Sequence, residues 1–390
     1  MKKAIFRAIF CATLLSSTAF VTSCSNDDDS TSVPSTQELT PDNFKGTVKT
    51  GQNLTLDATK IYYLTGIVTV ESGATLTIPA GTKFTATGGT SAYLIVDRGG
   101  KIFANGTAAN PVVFQGINHT AGEWGGLVIL GKATSNRSAS GESTSELGDK
   151  IYGGKETADN SGSLTYVVIK DSGAKFSDTK EFNGLSLFGV GNGTKIDNIY
   201  IENGADDGVE FFGGTVNASN IVINGVGDDS FDWTEGWSGT GTNFYAKRRP
   251  SAINGEMGNR GIEADNQDTN PDATPISNPT LKNITVVGSK EGAESQGAKL
   301  RAGTNGNIDN FVIANFSTGL DIETDRSVTW FNQGGKLTNV RFVDVDTKSK
   351  GSNSKKEAVD VSKAFTENPN ATGAGNGANI PTWAAWTGLK

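Results

Sequence analysis

Residues 196–233 read IDNIYIENGADDGVEFFGGTVNASNIVINGVGDDSFDW, and this segment nearly repeats itself after a step of 22 residues. Ile199 and Ile221 occupy the same phase of the repeat, as do Glu210 and Asp232. A short internal repeat of this kind is typical of a solenoid. Within each copy, apolar and polar residues alternate with the period of a β-strand. The segment therefore predicts two or three short strands per repeat, stacked about 4.8 Å apart as rungs of a parallel β-helix.

Length and composition fit one elongated domain, because a solenoid grows by adding rungs to one continuous core. The chain has 390 residues, of which 50 are Gly and 10 are Pro, and 19% are charged. Frequent Gly and Pro suit tight corners between short strands and exclude a helical bundle or a coiled coil. We therefore predict an all-β, single-domain, right-handed parallel β-helix with loop insertions, spanning residues 44–350.

Polar segments interrupt the predicted rungs. Residues 132–161 have few apolar side chains, and we expect them to leave the coil as a loop. Two further insertions are predicted at residues 237–260 and 266–279. Because the open end of a solenoid exposes unpaired strand edges, we expect residues 351–390 to form a C-terminal cap in which Trp383 and Trp386 pack.

The N-terminus has the features of an export segment. Lys2, Lys3 and Arg7 precede an apolar run from Ala8 to Val21, which is too short for a permanent membrane span. We interpret residues 1–23 as a signal peptide. Residues 24–43 are rich in Ser, Thr, Asp and Pro, and we interpret them as a flexible acidic tether.

Val21-Thr22-Ser23-Cys24 resembles a bacterial lipobox, which implies that Cys24 becomes the lipidated first residue of the mature chain. The next residues, Ser25-Asn26-Asp27-Asp28-Asp29, resemble the acidic surface-export signal of Bacteroidota lipoproteins. The resemblance implies anchoring in outer-membrane lipid by fatty acyl chains such as palmitate, facing the cell exterior. An outer-membrane transporter is a further partner that it leaves open. An ordinary secretion signal and a periplasmic acidic linker are the alternatives.

Few residues remain for metal or nucleophilic chemistry. Cys11 lies in the signal peptide and Cys24 would carry lipid, so the mature chain has neither a disulfide nor a free thiolate. His119 is the only histidine, which excludes a multi-histidine metal site. Without the signal peptide, 31 basic residues face 42 acidic ones, a net charge of −11. Nucleic acid and anionic membrane surfaces are poor partners for such a chain.

Alternation identifies the side chains that point outward from the repeated strand. The first outward row is predicted to contain Glu210, Asp232, Glu263, Lys299 and Asp321. The second row, two residues further along, is predicted to contain Phe212, Thr234, Asp265, Arg301 and Glu323. Two like charges about 5 Å apart repel by roughly 3 kcal/mol at an effective dielectric of about 20. Solvation, the nearby cations, a raised pKa or a bound Ca²⁺ must offset that repulsion.

These rows are the predicted ligand-binding surface. Its candidate residues are Glu210, Asp232, Glu263, Asp265, Lys299 and Arg301, with a candidate Ca²⁺ site at Glu210 and Asp232. No cofactor is required. For Lys299 and Arg301, an ion-pair ladder with the neighbouring acids is the alternative. Trp237 lies past the strand and is a candidate stacking surface for a sugar ring, with packing inside a loop as the alternative.

Asn203-Gly204-Ala205-Asp206-Asp207-Gly208 and Gly227-Asp228-Asp229-Ser230 resemble two successive motifs of polygalacturonase-type pectin hydrolases, an Asn-Thr-Asp strand and an Asp-Asp pair. Lys299-Leu300-Arg301 matches the family's Arg-Ile-Lys strand in charge pattern only. The resemblance implies a right-handed coil and, in an enzyme, the catalytic candidates Asp206, Asp207, Asp228, Asp229, Lys299 and Arg301. The family's Gly-His-Gly turn is missing, since no His follows His119. Aspartates at solenoid corners also serve as turn residues that accept backbone hydrogen bonds.

The predicted function is a non-catalytic β-helix that binds an extracellular glycan, such as a polysaccharide, or another ligand in a charged and aromatic groove. A carbohydrate-active enzyme is the alternative. A polysaccharide lyase would use Lys299 or Arg301 as its base. A pectin-type glycoside hydrolase, which we favour less, would need an acid and a base about 6.5–9.5 Å apart for inversion.

Overall fold

A computed structural model describes residues 38–390, apart from residues 146, 148, 149, 178, 179, 250–259 and 293. The predicted signal peptide, the lipidation site Cys24 and residues 24–37 of the predicted tether lie outside the described residues. In the part of the chain that is described, no helix is both long and apolar enough to cross a bilayer.

The described residues form mainly short β-strands. In chain order these strands are β1 (Gly46–Val48), β2 (Asn53–Thr55), β3 (Ile61–Leu64), β4 (Val68–Val70), β5 (Thr75–Pro79), β6 (Lys83–Ala86), β7 (Leu94–Val96), β8 (Lys101–Asn105), β9 (Val112–Gly116), β10 (Leu127–Leu130), β11 (Glu142–Thr144), β12 (Ile151–Gly153), β13 (Gly162–Lys170), β14 (Lys175–Ser177), β15 (Lys180–Glu181), β16 (Leu185–Phe188), β17 (Lys195–Glu202), β18 (Val209–Phe212), β19 (Asn217–Asn224), β20 (Phe231–Thr234), β21 (Thr240–Lys247), β22 (Arg260–Ala264), β23 (Thr280–Val287), β24 (Gln296–Leu300), β25 (Asn307–Ala314), β26 (Thr318–Glu323), β27 (Leu337–Val343), β28 (Thr347–Ser352) and β29 (Phe365–Glu367). The helices are α1 (Asp325–Phe331) and a 3₁₀ helix (Thr382–Thr387).

Parallel pairing between successive rungs builds two long sheets. Among the described residues, sheet A has 11 strands in the order β1-β4-β7-β10-β16-β18-β20-β22-β24-β26-β28. Sheet B has 14 strands in the same part of the chain, along the path β2-β5-β8-β13-β17-β19-β21-β23-β25-β27-β29 with β3, β6 and β9 beside it. These sheets confirm the predicted all-β, parallel β-helix.

The 22-residue repeat sets the register of the coil. Ile199 pairs with Ile221 in sheet B, and Glu210 pairs with Asp232 in sheet A. Alternate side chains point inward, where apolar residues form one continuous core that begins at Phe44. Burial of this apolar surface, at about 25 cal/mol per Å², is the main term that holds the rungs together.

An asparagine in the left-handed conformation bends the long strands of sheet B. Asn220, Asn243 and Asn283 have φ values of 55°, 60° and 61°, which Asn tolerates better than most residues. Their amides form a ladder, since Asn243 Nδ2 donates to Asn220 Oδ1 at 2.9 Å and Asn283 Nδ2 donates to Asn243 Oδ1 at 3.0 Å. The two halves of β13 pair with different strands, β8 and β9. Sheet B therefore supplies two faces of the coil and sheet A the third.

Two of the predicted insertions leave the stack. Residues 132–161 contain the antiparallel pair β11–β12, and Tyr152 of β12 packs on Phe188, on the outer side of sheet A, with ring centroids 5.0 Å apart. Residues 266–279 contain no strand.

The prediction of one insertion over residues 237–260 is wrong for residues 240–247, and residues 250–259 lie outside the described residues. β21 lies within it and pairs with β19 and β23 in sheet B. Phe244 and Ala246 of this strand are buried in the core. The basic run begins at the last residue of this strand, where Lys247 is exposed and Arg248 is buried.

The last residues of the chain cover the side of the coil. β29 adds a final strand to sheet B by pairing with β27. Trp386 then contacts Tyr166 with ring centroids 5.2 Å apart, and Trp383 packs in the same apolar cluster as Tyr200 and Tyr245 on the outer face of sheet B. The two Trp side chains therefore pack against the outer face of sheet B, not over open strand edges.

Candidate functional site

The predicted first outward row exists on sheet A. Glu210 is in register with Asp232, Asp232 with Glu263, Glu263 with Lys299, and Lys299 with Asp321. We call this row, together with the turn residues Asp206, Asp207, Asp228 and Asp229 and the second-row residues Asp265 and Arg301, the acidic ladder. Parallel pairing places these charges on adjacent rungs, so each carboxylate lies within range of the next.

The turn aspartates hold successive rungs together. The Asp229 backbone N–H donates to Asp207 Oδ1 at 2.8 Å. Asp229 Oδ1 accepts the backbone N–H of Arg260 at 2.7 Å, and Asp229 Oδ2 accepts Arg260 Nη1 at 2.9 Å. Asp207 and Asp229 are almost completely buried, whereas Asp206 and Asp228 are half-buried. Asp207 and Asp229 therefore stabilise the turns by accepting backbone hydrogen bonds from the next rung, whereas Asp206 and Asp228 lie nearer to solvent.

Arg260 is a residue of the ladder that the sequence analysis missed. Its guanidinium is 8% exposed, contacts Asp229 and Glu294, and lies 3.0 Å from Glu263 Oε1. It was assigned to the predicted insertion over residues 237–260. Phe231 pairs with Ile262, so two residues earlier Arg260 lies opposite Asp229. The alignment of the rungs therefore predicts that Arg260 and Asp229 are neighbours.

Three groups of carboxylates among the described residues bring one oxygen from each member within 4.8 Å of the others: Asp206, Asp207 and Asp228; Asp207, Glu210 and Asp232; and Asp229, Asp232 and Glu263. The predicted pair Glu210 and Asp232 belongs to the second group. Asp232 is shared by two groups, and its Oδ1 is buried without a hydrogen-bond donor from any described residue. An all-oxygen donor set of this kind suits Ca²⁺.

Burial and mutual repulsion raise the pKa values of the ladder acids. Burial, followed by Glu210 and Glu263, raises the pKa of Asp232. Burial and Asp228 raise the pKa of Asp229 to about 6, although Arg260 opposes the shift. Burial and Asp229 likewise raise the pKa of Glu263 to about 6. Above about pH 6 the ladder therefore carries a repulsion that a bound cation would relieve.

Lys299 and Arg301 lie among carboxylates. Arg301 Nε is 2.9 Å from Asp265 Oδ1 and 3.2 Å from Glu263 Oε1. Lys299 is buried, with Nζ 4.0 Å from Glu323 Oε1. Both cations thus take part in an ion-pair ladder, although Asp321 pairs with Lys350 instead, at 3.0 Å. This arrangement neutralises part of the ladder and leaves neither cation outside an ion pair.

The prediction that Trp237 is an exposed stacking surface is wrong. Its side chain is 0% exposed and stacks on Phe211 with ring centroids 3.9 Å apart. Its indole N–H donates to the backbone carbonyl of Val216 at 3.0 Å. The chain turns inward after β20, and a backbone acceptor inside the coil satisfies the one polar atom of the indole, so Trp237 is a core residue.

A different tryptophan lies beside the ladder. A cavity of about 410 Å³ is lined by Trp330, Asp272, Asn305, Arg326 and Gln333. Its lining residues Asn305 and Asp325 come from the segments that follow β24 and β26 in the chain. Trp330 is partly buried, and its N–H donates to the Gly306 carbonyl at 3.1 Å. Trp330 is thus an aromatic side chain in a surface cavity, with Lys336 Nζ 3.9 Å from its ring centroid, and no sequence pattern described above predicts it.

Comparison with known proteins identifies the type of β-helix. A family model described as a pectate-lyase like beta helix domain matches residues 46–387. Among solved structures, the enzymatically active domain of tailspike protein 2 from bacteriophage CBA120 is 15% identical, with a TM-score of 0.28. The match covers 77% of this chain but only 42% of the tailspike chain. No curated protein matches this sequence.

Proposed function

The chain belongs to the pectate-lyase-like β-helix family, whose model matches residues 46–387. On this premise we propose that it binds an anionic extracellular polysaccharide at the acidic ladder. Ca²⁺ would mediate the binding, and the polysaccharide would not be cleaved. The observation that carries the proposal is the position of Asp232. Its carboxylate belongs to two groups of converging acids, and one of its oxygens is buried without a donor among the described residues.

The charge balance of the ladder supports a cation. The cations Arg260, Lys299 and Arg301 all lie within ion-pair distance of carboxylates. On the rungs before Arg260, oxygens of Asp207, Glu210 and Asp232 converge. Ca²⁺ takes six to eight oxygen ligands, so three carboxylates would leave positions for the carboxylate and hydroxyl oxygens of a uronate sugar. Trp330 lies in α1, after β26, which is the third strand beyond β20 in sheet A, so it would pack against a sugar ring further along the polysaccharide.

Catalysis is the second candidate, because burial and the neighbouring carboxylates raise the pKa values of Asp207 and Asp232. A protonated acid beside an ionised one is what inverting hydrolysis requires. A lyase would need Lys299 or Arg301 as a base, and both are engaged with carboxylates. The binding proposal is therefore preferred.

Binding and turnover are tested together with polygalacturonate and the purified protein, by calorimetry with Ca²⁺ and with a chelator. We expect binding that needs Ca²⁺, is lost in Asp232→Asn and is retained in Asp346→Asn, a control in which the acid is 60% exposed. The same samples are assayed for reducing ends and unsaturated products. Turnover that disappears in Asp206→Asn, Asp228→Asn or Lys299→Ala would establish an enzyme instead. Absence of binding to any acidic polysaccharide would refute the proposal.

We also propose that the protein is held at the cell surface by lipid on Cys24. The lipobox-like residues before Cys24 and the acidic run after it support this placement. Protease added to intact cells is expected to degrade the wild-type protein, and Cys24→Ala is expected to release it from the membrane fraction. Full protection of the wild-type protein from protease would contradict surface display.

A further inference from the structure

A second polar cavity, of about 470 Å³, lies at the corner where β17, β19 and β21 end. The last residues of these strands, Glu202, Asn224 and Lys247, are in register and line the cavity. We call it the corner cavity. The turns that begin here carry the ladder aspartates a few residues later, so the corner cavity and the acidic ladder flank the same turns.

One wall of the corner cavity holds the only histidine of the chain. Asp171 is buried, and its Oδ2 lies 3.3 Å from His119 Nδ1 and accepts the Gly116 N–H at 3.1 Å. A carboxylate facing Nδ1 orients the imidazole so that Nε2 points away from Asp171. The His119 side chain is 64% exposed, so Nε2 is accessible to a molecule in the cavity.

Arg249 also lines the corner cavity. Its Nη2 donates to Asn203 Oδ1, and Asn203 Nδ2 donates to Asp171 Oδ1 and to the His119 carbonyl. Gly225 has a φ of 68° and no side chain, and a Cβ at this position would lie 3.1 Å from Arg249 Nε. The guanidinium therefore lies over a glycine and is oriented by a neutral amide. Among the described residues, no carboxylate forms an ion pair with Arg249, although Glu202 and Asp171 are the nearest negative charges.

The charges around the corner cavity do not cancel. Glu202 is satisfied, because Lys170 Nζ lies 2.6 Å from its Oε2 and Asn224 Nδ2 donates to its Oε1 at 3.0 Å. Lys247 is exposed and forms no ion pair with any described residue. Arg249 and Lys247 thus present two cationic groups to the cavity in a protein whose overall charge is negative.

From this geometry we infer that the corner cavity binds an oxyanion substituent of a sugar, a carboxylate or a sulfate ester, between Arg249 and Lys247 with His119 at its edge. A guanidinium presents paired N–H donors that match the oxygens of either group. The inference rests on the proposed function in one respect, since it supplies a second contact for the anionic polysaccharide. The corner cavity is a second subsite that needs no metal. It lies where the turns begin, whereas the acidic ladder lies where they end.

The single histidine makes the cavity directly observable, because the NMR signal of the His119 ring is unique. The purified protein is titrated, with chelator present and at constant ionic strength, with trigalacturonate, a sulfated disaccharide and a neutral disaccharide. We expect a saturable shift of the His119 signal with at least one acidic sugar and no shift with the neutral one. Trigalacturonate and the sulfated sugar distinguish the two oxyanion classes by which of them binds more tightly.

Two variants test the cationic contacts. Arg249→Ala and Lys247→Ala are each expected to weaken binding by about tenfold or more, whereas Lys101→Ala, an exposed lysine on β8, leaves it unchanged. The Lys247 side chain is exposed and pairs with no carboxylate in the described part of the chain, so its removal tests the charge directly. An unmoved His119 signal with every acidic sugar, or wild-type affinity in both variants, would overturn the inference.

Failure of the proposed function is distinguishable from failure of the corner cavity. Acidic sugars that shift His119 in a protein that does not bind polygalacturonate through Ca²⁺ would refute the ladder proposal and support the cavity. Polygalacturonate binding that is lost in Asp232→Asn but leaves the His119 signal unmoved in the wild-type protein would refute the cavity.

Discussion

The backbone N–H of Asp229 donates a hydrogen bond of 2.8 Å to Oδ1 of Asp207, its counterpart one rung earlier. Asp229 in turn accepts the backbone N–H of Arg260 on the following rung at 2.7 Å. These carboxylates thus connect three consecutive turns of the coil. Arg260 also neutralises two of the acids that the stacking brings together.

Arg260→Ala is expected to reduce the free energy of unfolding by about 3–5 kcal/mol, because it leaves buried carboxylates without their cation. Denaturant titration monitored by circular dichroism measures the change. Lys195→Ala is the control, since Lys195 is 63% exposed and lies 3.8 Å from Asp197. Exposed pairs contribute about 0–1 kcal/mol. Equal losses in the two variants would contradict the role assigned to Arg260.

Stability is expected to fall as pH rises from about 4.5 to about 6 because of Glu263. Its pKa is raised from 4.5 to about 6, mainly by burial. Between these values the folded state holds a proton that the unfolded state has lost, so the free energy of unfolding decreases as pH increases. Below the lower value both states are protonated, and the stabilisation is fully present.

Thermal midpoints at a series of pH values, compared between the wild-type protein and Glu263→Gln, isolate this contribution. The thermal midpoint of Glu263→Gln is expected to change less with pH than that of the wild-type protein. The increase of the midpoint over wild type is expected to be largest above pH 6. Glu367→Gln is the control, because its side chain is 46% exposed. Parallel profiles for the wild-type protein and Glu263→Gln would show that Glu263 ionises normally.

Ca²⁺ is expected to raise the thermal midpoint of the wild-type protein, because a ligand present at 100 times its Kd stabilises the folded state by about 2.7 kcal/mol. Asp232→Asn removes an acid shared by two groups of ligands and is expected to abolish most of the shift. Asp346→Asn is expected to retain it. Lower pH should weaken the effect, since protons compete for the same carboxylates. An equal shift in both variants would place the cation elsewhere.

The register of the coil was predictable from the sequence because a period of 22 residues fixes which side chains stack. Glu210 and Asp232 were assigned to neighbouring rungs on that basis, and they pair in register. The strand at residues 240–247, which was predicted to be an insertion, also has a recognisable sequence feature. Asn243 precedes Phe244 as Asn220 precedes Ile221, and the same asparagine forms the ladder that bends sheet B.

Other features were not predictable, because they depend on how irregular turns fold back. His119 and Arg249 are far apart in the sequence, and no repeat relates them, yet both line the corner cavity. The hydrogen bonds of Asn203 that connect them follow from a turn conformation with a φ of 59°. Alternation predicts which face a strand residue occupies, but it does not predict the contacts of a residue in the turn that follows.

Trp237 is such a residue, and its burial leads to an expectation opposite to that for a sugar-stacking side chain. Trp237→Ala should reduce the free energy of unfolding by about 3–5 kcal/mol, because it removes a large core side chain that stacks on Phe211. The polysaccharide affinity of the protein that remains folded should be unchanged. Denaturant titration and calorimetry under folding conditions measure the two quantities.

Trp330→Ala is the matched variant. Trp330 is only partly buried and lines the cavity beside the ladder, so its removal should cost less stability and weaken polysaccharide binding. Each variant thus changes mainly one of the two measured quantities. A Trp237→Ala protein of wild-type stability that had lost its affinity would mean that the indole reaches the ligand, which its stacking on Phe211 inside the coil does not allow.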